Sequence, residues 1–255
     1  MLPFAVSYVL LCLAQGATVA LPATERFPAL GRLSSKWWAA IPVAAIVGTV
    51  VGVGSSADTA DVLTYLALVT TPPLAAVAFG YAARGGRPVL ALLVLPLFAL
   101  AWFSRETLLG EFAALVLIAA ACATLATMLE AAAPDLWLKA GLVLFAATDT
   151  WLVVNELLQQ PNAVLNAAAP GGGLPQFQRV ALGSAEMGYG DVFAAALLGA
   201  LLARRRRVQL AGAALTALLA LVFGLLFFVL DTLPATVPVA ATLILLELRD
   251  RRRRG

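Results

Sequence analysis

Apolar stretches long enough to cross a lipid bilayer follow one another along almost the whole chain. Of its 255 residues, 62% are hydrophobic and only 12% are charged, whereas a soluble domain carries about 25% charged residues. A transmembrane helix needs about 20 mainly apolar residues, and only short polar joints separate such stretches here. The sequence therefore predicts an all-α polytopic membrane protein, with a single membrane domain over residues 1–255.

Charges, prolines and glycines divide the apolar stretches into about nine predicted transmembrane spans. The predicted spans cover residues 3–21, 37–55, 60–82, 88–103, 111–130, 136–158, 178–203, 208–230 and 234–248. The first span ends in small residues and resembles a cleaved signal peptide in that respect. It lacks the basic region with which a signal peptide begins, so we expect it to be retained as a true span.

Basic residues predict an orientation for the spans. With nine spans, fifteen of the 17 lysines and arginines fall on one side of the membrane, and only Arg105 and Arg179 fall on the other. Because basic loops stay in the cytoplasm, we expect the N-terminus outside and the C-terminus in the cytoplasm. The basic runs 204–207 and 251–254 could also bind anionic headgroups, so membrane lipids are expected partners. No nucleic-acid partner is expected.

Two aspartates lie inside predicted spans, where an ionisable side chain is costly and usually functional. Asp149 lies in span six, and Asp191 ends the motif Gly188-Tyr189-Gly190-Asp191 in span seven. Span six runs outward and span seven returns, which places the two carboxyls about 14 and 20 Å below the outer ends of their spans. The glycines allow span seven to approach its neighbour closely. We therefore expect the two carboxyls to meet.

Two carboxyls that meet in a medium of low dielectric constant cannot both ionise readily, so they share a proton. The ionised member can take a proton from water, which attacks an amide carbon, while the protonated member hydrogen-bonds the carbonyl oxygen. This chemistry needs no cofactor and no metal ion. The chain has no histidine, which excludes Ser-His and Cys-His nucleophile pairs and HExxH zinc sites. Cys12 and Cys122 are expected to be packing residues.

The motifs resemble those of presenilin and signal peptide peptidase, the intramembrane aspartyl proteases. That family carries Tyr-Asp, Gly-x-Gly-Asp and Pro-Ala-Leu motifs on spans six, seven and nine, where this chain has Asp149, residues 188–191 and residues 234–236. The resemblance implies a presenilin-like fold, with spans one to five (1–131) as scaffold and spans six to nine (132–255) as the catalytic part. It implies an endopeptidase of a prokaryotic plasma membrane that cuts transmembrane or signal-peptide helices.

The resemblance also assigns roles to residues. Asp149 and Asp191 would be the catalytic pair. The motif and substrate-binding residues would be Gly188, Tyr189, Gly190, Pro234, Ala235 and Thr236. The chain departs from the family at Thr148, where a Tyr is usual, and at Thr236, where a Leu is usual, and Pro238 comes one residue late. These departures leave both aspartates of the pair in place. They are expected to affect how a substrate fits near span nine.

Pro234 and Pro238 disfavour a regular helix at the start of span nine, so residues 231–238 are expected to enter the membrane extended. A substrate helix must unwind before its amides can be cut, and the unwound strand could pair with this segment. The glycine-containing loop 159–178 could supply a second strand or a gate, or serve as a plain connector.

Two other functions fit a buried aspartate pair. A prepilin-type peptidase also uses two aspartates, but it typically has fewer spans and a lysine soon after the motif, where this chain has Val192-Phe193-Ala194. A proton-coupled transporter could use Asp149 and Asp191 as relay groups, although the N-terminal spans contain no counterpart of the motif. The sequence leaves the substrate, the cut site and the oligomeric state open.

Overall fold

A computed structural model describes residues 2–228, 230 and 232–252, and these residues are mainly helical. The helices are α1 (Phe4–Ala20), α2 (Ile41–Ser55), α3 (Ala57–Val77), α4 (Val94–Phe103), α5 (Leu108–Ala132), α6 (Asp135–Val154), α7 (Gln159–Ala167), α8 (Tyr189–Leu202), α9 (Arg206–Phe223) and α10 (Val237–Arg252). Strands β1 (Arg179–Leu182) and β2 (Ala185–Gly188) form a hairpin before α8. Residue 231 of the predicted extended segment and residues 253–254 of the basic run lie outside the described residues.

Five helical segments of the described chain are long and apolar enough to cross a membrane. They are Lys36–Ser55, Asp58–Ala82, Leu108–Ala132, Asp135–Val154 and Arg206–Phe227. Three shorter apolar helices, Phe4–Ala20, Pro88–Phe103 and Tyr189–Leu202, lie where further spans were predicted. Large apolar side chains such as Val51, Phe103 and Val154 are exposed, as expected on a surface that lipid covers. These features are those of an integral membrane protein, and the count of nine spans stays a prediction.

The prediction of one continuous span over residues 178–203 is wrong in its first half. Residues 179–188 form the antiparallel hairpin, and α8 begins only at Tyr189. Gly183, with φ of +65°, and Ser184 make the two-residue turn, where a glycine at the first position matches the twist of the strands. Burial alternates along both strands, as in a half-buried hairpin, and the inward residues are Val180, Leu182, Ala185 and Met187.

The hairpin turn is tied to two helices. The backbone N–H of Gly183 donates to Oε2 of Glu111 at 2.7 Å, in the first turn of α5. The backbone N–H of Ser184 donates to Oγ of Ser7 at 3.1 Å, on α1. These bonds satisfy backbone groups that would be costly to leave unpaired in lipid, and they fix the strand that leads to Gly188.

The core lies where α5 and α8 pack together. Helix α5 also packs against α3 and α4, and α1 packs against both α8 and α9. Leu117 and Ile118 of α5 and Leu197 and Leu198 of α8 are fully buried. Because α1 lies against the C-terminal helices, it can contribute side chains to a site that forms among them.

The ends of the helices gather into two groups. Lys139 at the start of α6 pairs with Glu247 near the end of α10 at 2.5 Å. Arg204, between α8 and α9, pairs with Glu130 near the end of α5 at 3.4 Å. We call this the basic end of the bundle, and the hairpin turn lies at the opposite end, beside the first turns of α1 and α5. The grouping agrees with the charge pattern of the sequence, while the orientation in a membrane stays a prediction.

Close packing of α1 on α9 depends on Gly16. A Cβ at this position would lie 2.7 Å from the carbonyl oxygen of Ala213 and 2.8 Å from the Cβ of Ala217. We expect Gly16→Val to push the two helices apart. Overpacking of this kind lowers the free energy of unfolding by about 1–3 kcal/mol, so the apparent Tm in detergent should fall by about 5 °C. Gly48→Val is the matched control, because a Cβ at Gly48 meets nothing within 4 Å. Equal Tm values for the two variants would contradict this packing.

Candidate active site

Asp149 lies on the inward face of α6. Burial recurs every three or four residues along this helix, as on the core-facing side of an amphipathic helix, and the buried residues are Leu138, Gly141, Leu142, Phe145, Ala146, Asp149 and Leu152. Asp149 is only 6% exposed. Helix α6 packs against α8 and α10, so these two helices are positioned to supply partners for its carboxyl.

Thr236 supplies one such partner. Its Oγ1 donates a 2.6 Å hydrogen bond to Oδ2 of Asp149, and Thr236 is fully buried. Both aspartates are retained despite the departure from the family motif, and the structure adds that Thr236 bonds to one of them. A leucine side chain has no hydrogen-bond donor, so the threonine found here adds a hydrogen bond to the Asp149 carboxyl that the usual family residue could not make.

The segment that carries Thr236 is only partly helical. Residues 232–234 have no regular secondary structure, and α10 begins at Val237. Residues 232–234 are therefore not helical, and their extended conformation stays a prediction. The prediction of an extended segment is wrong at Pro238, which lies in the first turn of α10, where proline is tolerated because the N–H it lacks would have no helical partner.

Asp191 lies in the first turn of α8. Its Oδ2 accepts a 3.1 Å hydrogen bond from the backbone N–H of Gly188, the N-cap residue, as the third helical residue does in a capping box. The carboxyl is half-buried. The prediction that Asp191 lies deep within a continuous helix is wrong, because the hairpin replaces the first half of that helix.

Gly190 brings α8 close to α6. A Cβ at Gly190 would lie 3.2 Å from Cζ of Phe145, and Phe145 is one turn before Asp149 on the same face of α6. Helix α6 packs against α8. Asp149 is 14 residues from the start of α6 and Asp191 is 11 residues from the end of α8, or about 21 and 17 Å from the basic ends of their helices. The two aspartates therefore lie at a similar level of the bundle.

The other predicted residues divide between the site and the packing around it. Tyr189 is partly buried and packs against the core, which lies where α5 and α8 pack together. Pro234 is buried. The carbonyl oxygen of Ala235 accepts a 2.8 Å hydrogen bond from Nε2 of Gln15 on α1. The structure thus gathers Asp149, Asp191, Gly190 and Thr236 where α6, α8 and α10 meet.

Sequence reasoning missed Gln15. This side chain is 2% exposed, and its Oε1 has no hydrogen-bond partner among the described residues. The available signal was a lone glutamine in the apolar stretch VLLCLAQGATVA, since polar side chains at membrane depth are rare and usually have a role.

In the described part of the chain, no group of three or more His, Cys, Asp or Glu side chains could hold a metal ion. The site as described consists of two aspartates on packed helices, one buried and bonded to a hydroxyl and the other partly buried. Such a pair can exchange a proton and polarise a water molecule. Comparisons of the chain with protein-family models, with curated proteins and with solved structures gave no match.

Proposed function

We propose that the chain is an intramembrane aspartyl endopeptidase of the presenilin and signal peptide peptidase type, which hydrolyses peptide bonds in transmembrane or signal-peptide helices. The observation that carries the proposal is the placement of two carboxyl side chains, Asp149 and Asp191, on helices α6 and α8, which pack together in a bundle that contains helices of membrane-spanning length. An ionisable side chain inside a membrane is energetically costly, and such a side chain usually has a function. We also propose that the protein lies in a prokaryotic plasma membrane, with the basic end of the bundle on the cytoplasmic side.

The hydrogen bonds suggest how the pair works. Each carboxyl is held through its Oδ2, Asp149 by the Thr236 hydroxyl and Asp191 by the Gly188 N–H. Each Oδ1 is then the atom that reaches substrate or water. The ionised carboxyl takes a proton from water as the water oxygen bonds to the amide carbon. The protonated carboxyl hydrogen-bonds the carbonyl oxygen, and the leaving nitrogen takes a proton when the C–N bond breaks.

Non-helical backbone leads to Asp191 and to Thr236, the hydrogen-bond partner of Asp149. Strand β2 ends at Gly188, three residues before Asp191, and the irregular residues 232–234 precede Thr236. We infer that an unwound substrate is held as an added strand between these two segments. The loop 159–178, a predicted source of the second strand, contains helix α7 and a 3-10 turn at Gly171–Gly173.

A cleavage assay tests the proposal. Purified protein in detergent is incubated with a single-span peptide, and mass spectrometry locates the cut. We expect a cut within the apolar segment, blocked by a hydroxyl-containing mimic of the tetrahedral intermediate. Proton-driven substrate flux in liposomes without any cleavage would favour a transporter. A cut confined to the cytoplasmic end of the peptide would favour a prepilin-type peptidase.

The Thr236 hydroxyl gives a separate prediction. Thr236→Val keeps the shape of the side chain and removes the donor to Asp149, so we expect kcat/KM to fall about 10- to 100-fold, in line with about 1.5–3 kcal/mol for a hydrogen bond to a charged group. Thr236→Ser restores the donor and should keep most of the activity. Initial rates on one peptide measure both variants, and equal losses in the two would contradict the role of the hydroxyl.

Thr242→Val is the control for this pair of variants. Thr242 is a fully buried threonine of α10, and its hydroxyl donates to the carbonyl oxygen of Pro238 at 2.9 Å. Its hydrogen bonds in the described part of the chain are to Pro238 and Thr216, and neither aspartate is a partner. We therefore expect its kcat/KM to stay within about twofold of the wild-type value.

A further inference from the structure

Two arginines at the basic end of the bundle lie side by side on one uncharged amide. Nε of Arg84 and Nη1 of Arg206 each donate a 2.9 Å hydrogen bond to Oε1 of Gln209. Arg84 also donates through Nη2 to the carbonyl oxygen of Ala203. Arg206 also donates through Nη1 to the carbonyl oxygen of Ala20 at 2.8 Å. Because Gln209 is fully buried, these bonds hold the two guanidinium groups in fixed positions.

The two charges have no acidic partner in the described part of the chain. Arg204 and Arg205, which precede Arg206 in the same basic run, both form ion pairs with carboxylates. Neither Arg84 nor Arg206 takes part in any ion pair between described residues. Two like charges held side by side repel each other, so an anion that binds between them is favoured.

A third arginine adds to the positive charge. Arg26 lies on the loop after α1, with its Cζ 5.2 Å from the centre of the Tyr81 ring. The backbone N–H of Arg84 donates to the carbonyl oxygen of Leu21 at 2.8 Å, which ties the loop after α1 to the residues that follow α3. Burial, together with the charges of Arg206 and Arg26, lowers the pKa of Arg84 below its usual value. This is the effect of positive charge that nothing compensates.

Several donors of the pair are available to a ligand. Among the described residues, Nη1 of Arg84 and both Nε and Nη2 of Arg206 have no hydrogen-bond partner. Arg206 is exposed and Arg84 is partly exposed, and the unpartnered Nη1 of Arg84 is not buried. Nε and Nη2 of one guanidinium form a planar fork that matches two oxygen atoms of a phosphate group.

The pair lies at the level of the membrane surface if the apolar helices cross the bilayer. Arg84 follows the apolar segment Asp58–Ala82, and Arg206 begins the apolar segment Arg206–Phe227. Lipid headgroups lie at the ends of such segments, and anionic headgroups attract basic residues there. A phosphate group is therefore the anion that this pair would meet.

We propose that Arg84 and Arg206 form a binding site for one phosphate group, with Nε and Nη2 of Arg206 and Nη1 of Arg84 donating to its oxygen atoms and Arg26 adding charge. An anionic phospholipid or free inorganic phosphate can supply this group. The site does not depend on the proposed protease function. The attraction predicted for the basic runs 204–207 and 251–254 depends on charge alone, whereas this site depends on the positions of two guanidinium groups.

The test is a titration of the full chain in detergent micelles, in which native mass spectrometry counts the bound lipids. The probes are dioleoyl phosphatidylglycerol, which is anionic, dioleoyl phosphatidylcholine, which has no net charge, and sodium phosphate. We expect one phosphatidylglycerol to bind at least about tenfold more tightly than phosphatidylcholine, and to raise the apparent Tm. A rise in Tm with sodium phosphate, and equal binding of the two lipids, would support the site and assign it to a soluble ligand.

Arg206→Gln removes the fork of donors. We expect the Kd of the first phosphatidylglycerol to rise by about tenfold or more, as for the loss of hydrogen bonds to a charged group. Arg207→Gln is the matched control, because it removes the same charge from the next exposed residue of the run, while the arginine bonds to Gln209 come from Arg84 and Arg206. Its Kd should stay within about twofold of the wild-type value. Equal losses in the two variants would overturn the site, because the lipid would then respond to net charge alone.

Arg206→Lys covers the case in which Arg206→Gln does not fold. Lysine keeps the net charge but lacks the planar fork, so the Kd should still rise by at least about threefold. Wild-type affinity in Arg206→Lys would overturn the site. Equal binding of the two lipids by the wild-type protein, with no rise in Tm from sodium phosphate, would overturn it as well.

Discussion

Asp149→Asn and Asp191→Asn should each lower peptide cleavage by about 10²–10⁴-fold or more, the usual contribution of one general acid or base. An asparagine has the shape of the aspartate but cannot take a proton from water or pass one to the leaving nitrogen. In the proposed mechanism the two carboxyls act as one unit, so the double variant should lose little more activity than either single variant. Initial rates with one peptide measure all three.

The asparagine variants should stay folded, which makes the loss interpretable. The amide oxygen of asparagine can still accept from the Thr236 hydroxyl at position 149 and from the Gly188 N–H at position 191. Alanine would remove these acceptors and leave either the buried hydroxyl of Thr236 or the exposed N–H of Gly188 without its partner.

Asp58→Asn is the control for the aspartate variants. Asp58 lies in the first turn of α3, at an exposed helix end away from the site. Activity in this variant should equal that of the wild type, since exposed substitutions usually change stability by less than about 0.5 kcal/mol. Wild-type cleavage in both Asp149→Asn and Asp191→Asn would refute the protease assignment.

The helices of this chain were largely predictable from the sequence because lipid imposes a simple rule. A segment that crosses a bilayer must be apolar and must pair its own backbone, so the length of an apolar run predicts a helix. Predicted span six ended at residue 158, whereas α6 ends at Val154 and Glu156 has φ of +57°. The length of an apolar run does not predict the residue at which the helix ends in the polar loop that follows.

The hairpin was missed because hydropathy averages over both faces of a segment. Residues 178–203 are apolar on average, and this average hid the alternation of buried and exposed residues along β1 and β2. The signal was present in the sequence. Gly183-Ser184 is a two-residue turn between two short alternating runs, which is a hairpin pattern.

The contacts of the site were the least predictable part. Thr236 is 87 residues from Asp149, and Gln15 is 220 residues from Ala235. The motifs predicted that Asp149, Asp191 and the Pro-Ala-Thr segment belong together. No rule of spacing connects a glutamine on the first helix to the last motif, because that contact depends on the packing of α1 against α8 and α9.

The largest effect on stability is expected at Gln209, on α9. This side chain is fully buried and joins the ends of three elements. Its Nε2 donates to the carbonyl oxygens of Val19 at 3.0 Å, Pro22 at 2.9 Å and Gly199 at 3.1 Å, and its Oε1 accepts from Nε of Arg84 and Nη1 of Arg206, both at 2.9 Å. The two N–H groups of one amide thus serve three carbonyl oxygens, with one N–H shared between two of them, and the amide oxygen accepts from two guanidinium groups at the basic end.

Gln209→Leu removes all of these bonds at once. Each buried polar group left unpaired costs about 1–3 kcal/mol, and more when it is charged. Water that enters from the basic end would bond to some of these unpaired groups. We therefore expect the free energy of unfolding to fall by about 3–5 kcal/mol and the apparent Tm in detergent to fall by about 10 °C. The rate of peptide cleavage should fall as well, because Gly199 lies on α8, the helix that carries Asp191.

Gln160→Leu is the matched control for Gln209→Leu. Gln160 is an exposed glutamine of α7, so the same change of side chain there removes no buried hydrogen bond and should shift the apparent Tm by less than about 2 °C. Thermal unfolding of both variants at one detergent concentration makes the comparison. A Gln209→Leu protein as stable as Gln160→Leu would mean that water replaces the amide completely, and that this end of the bundle does not hold α1, α8 and α9 together.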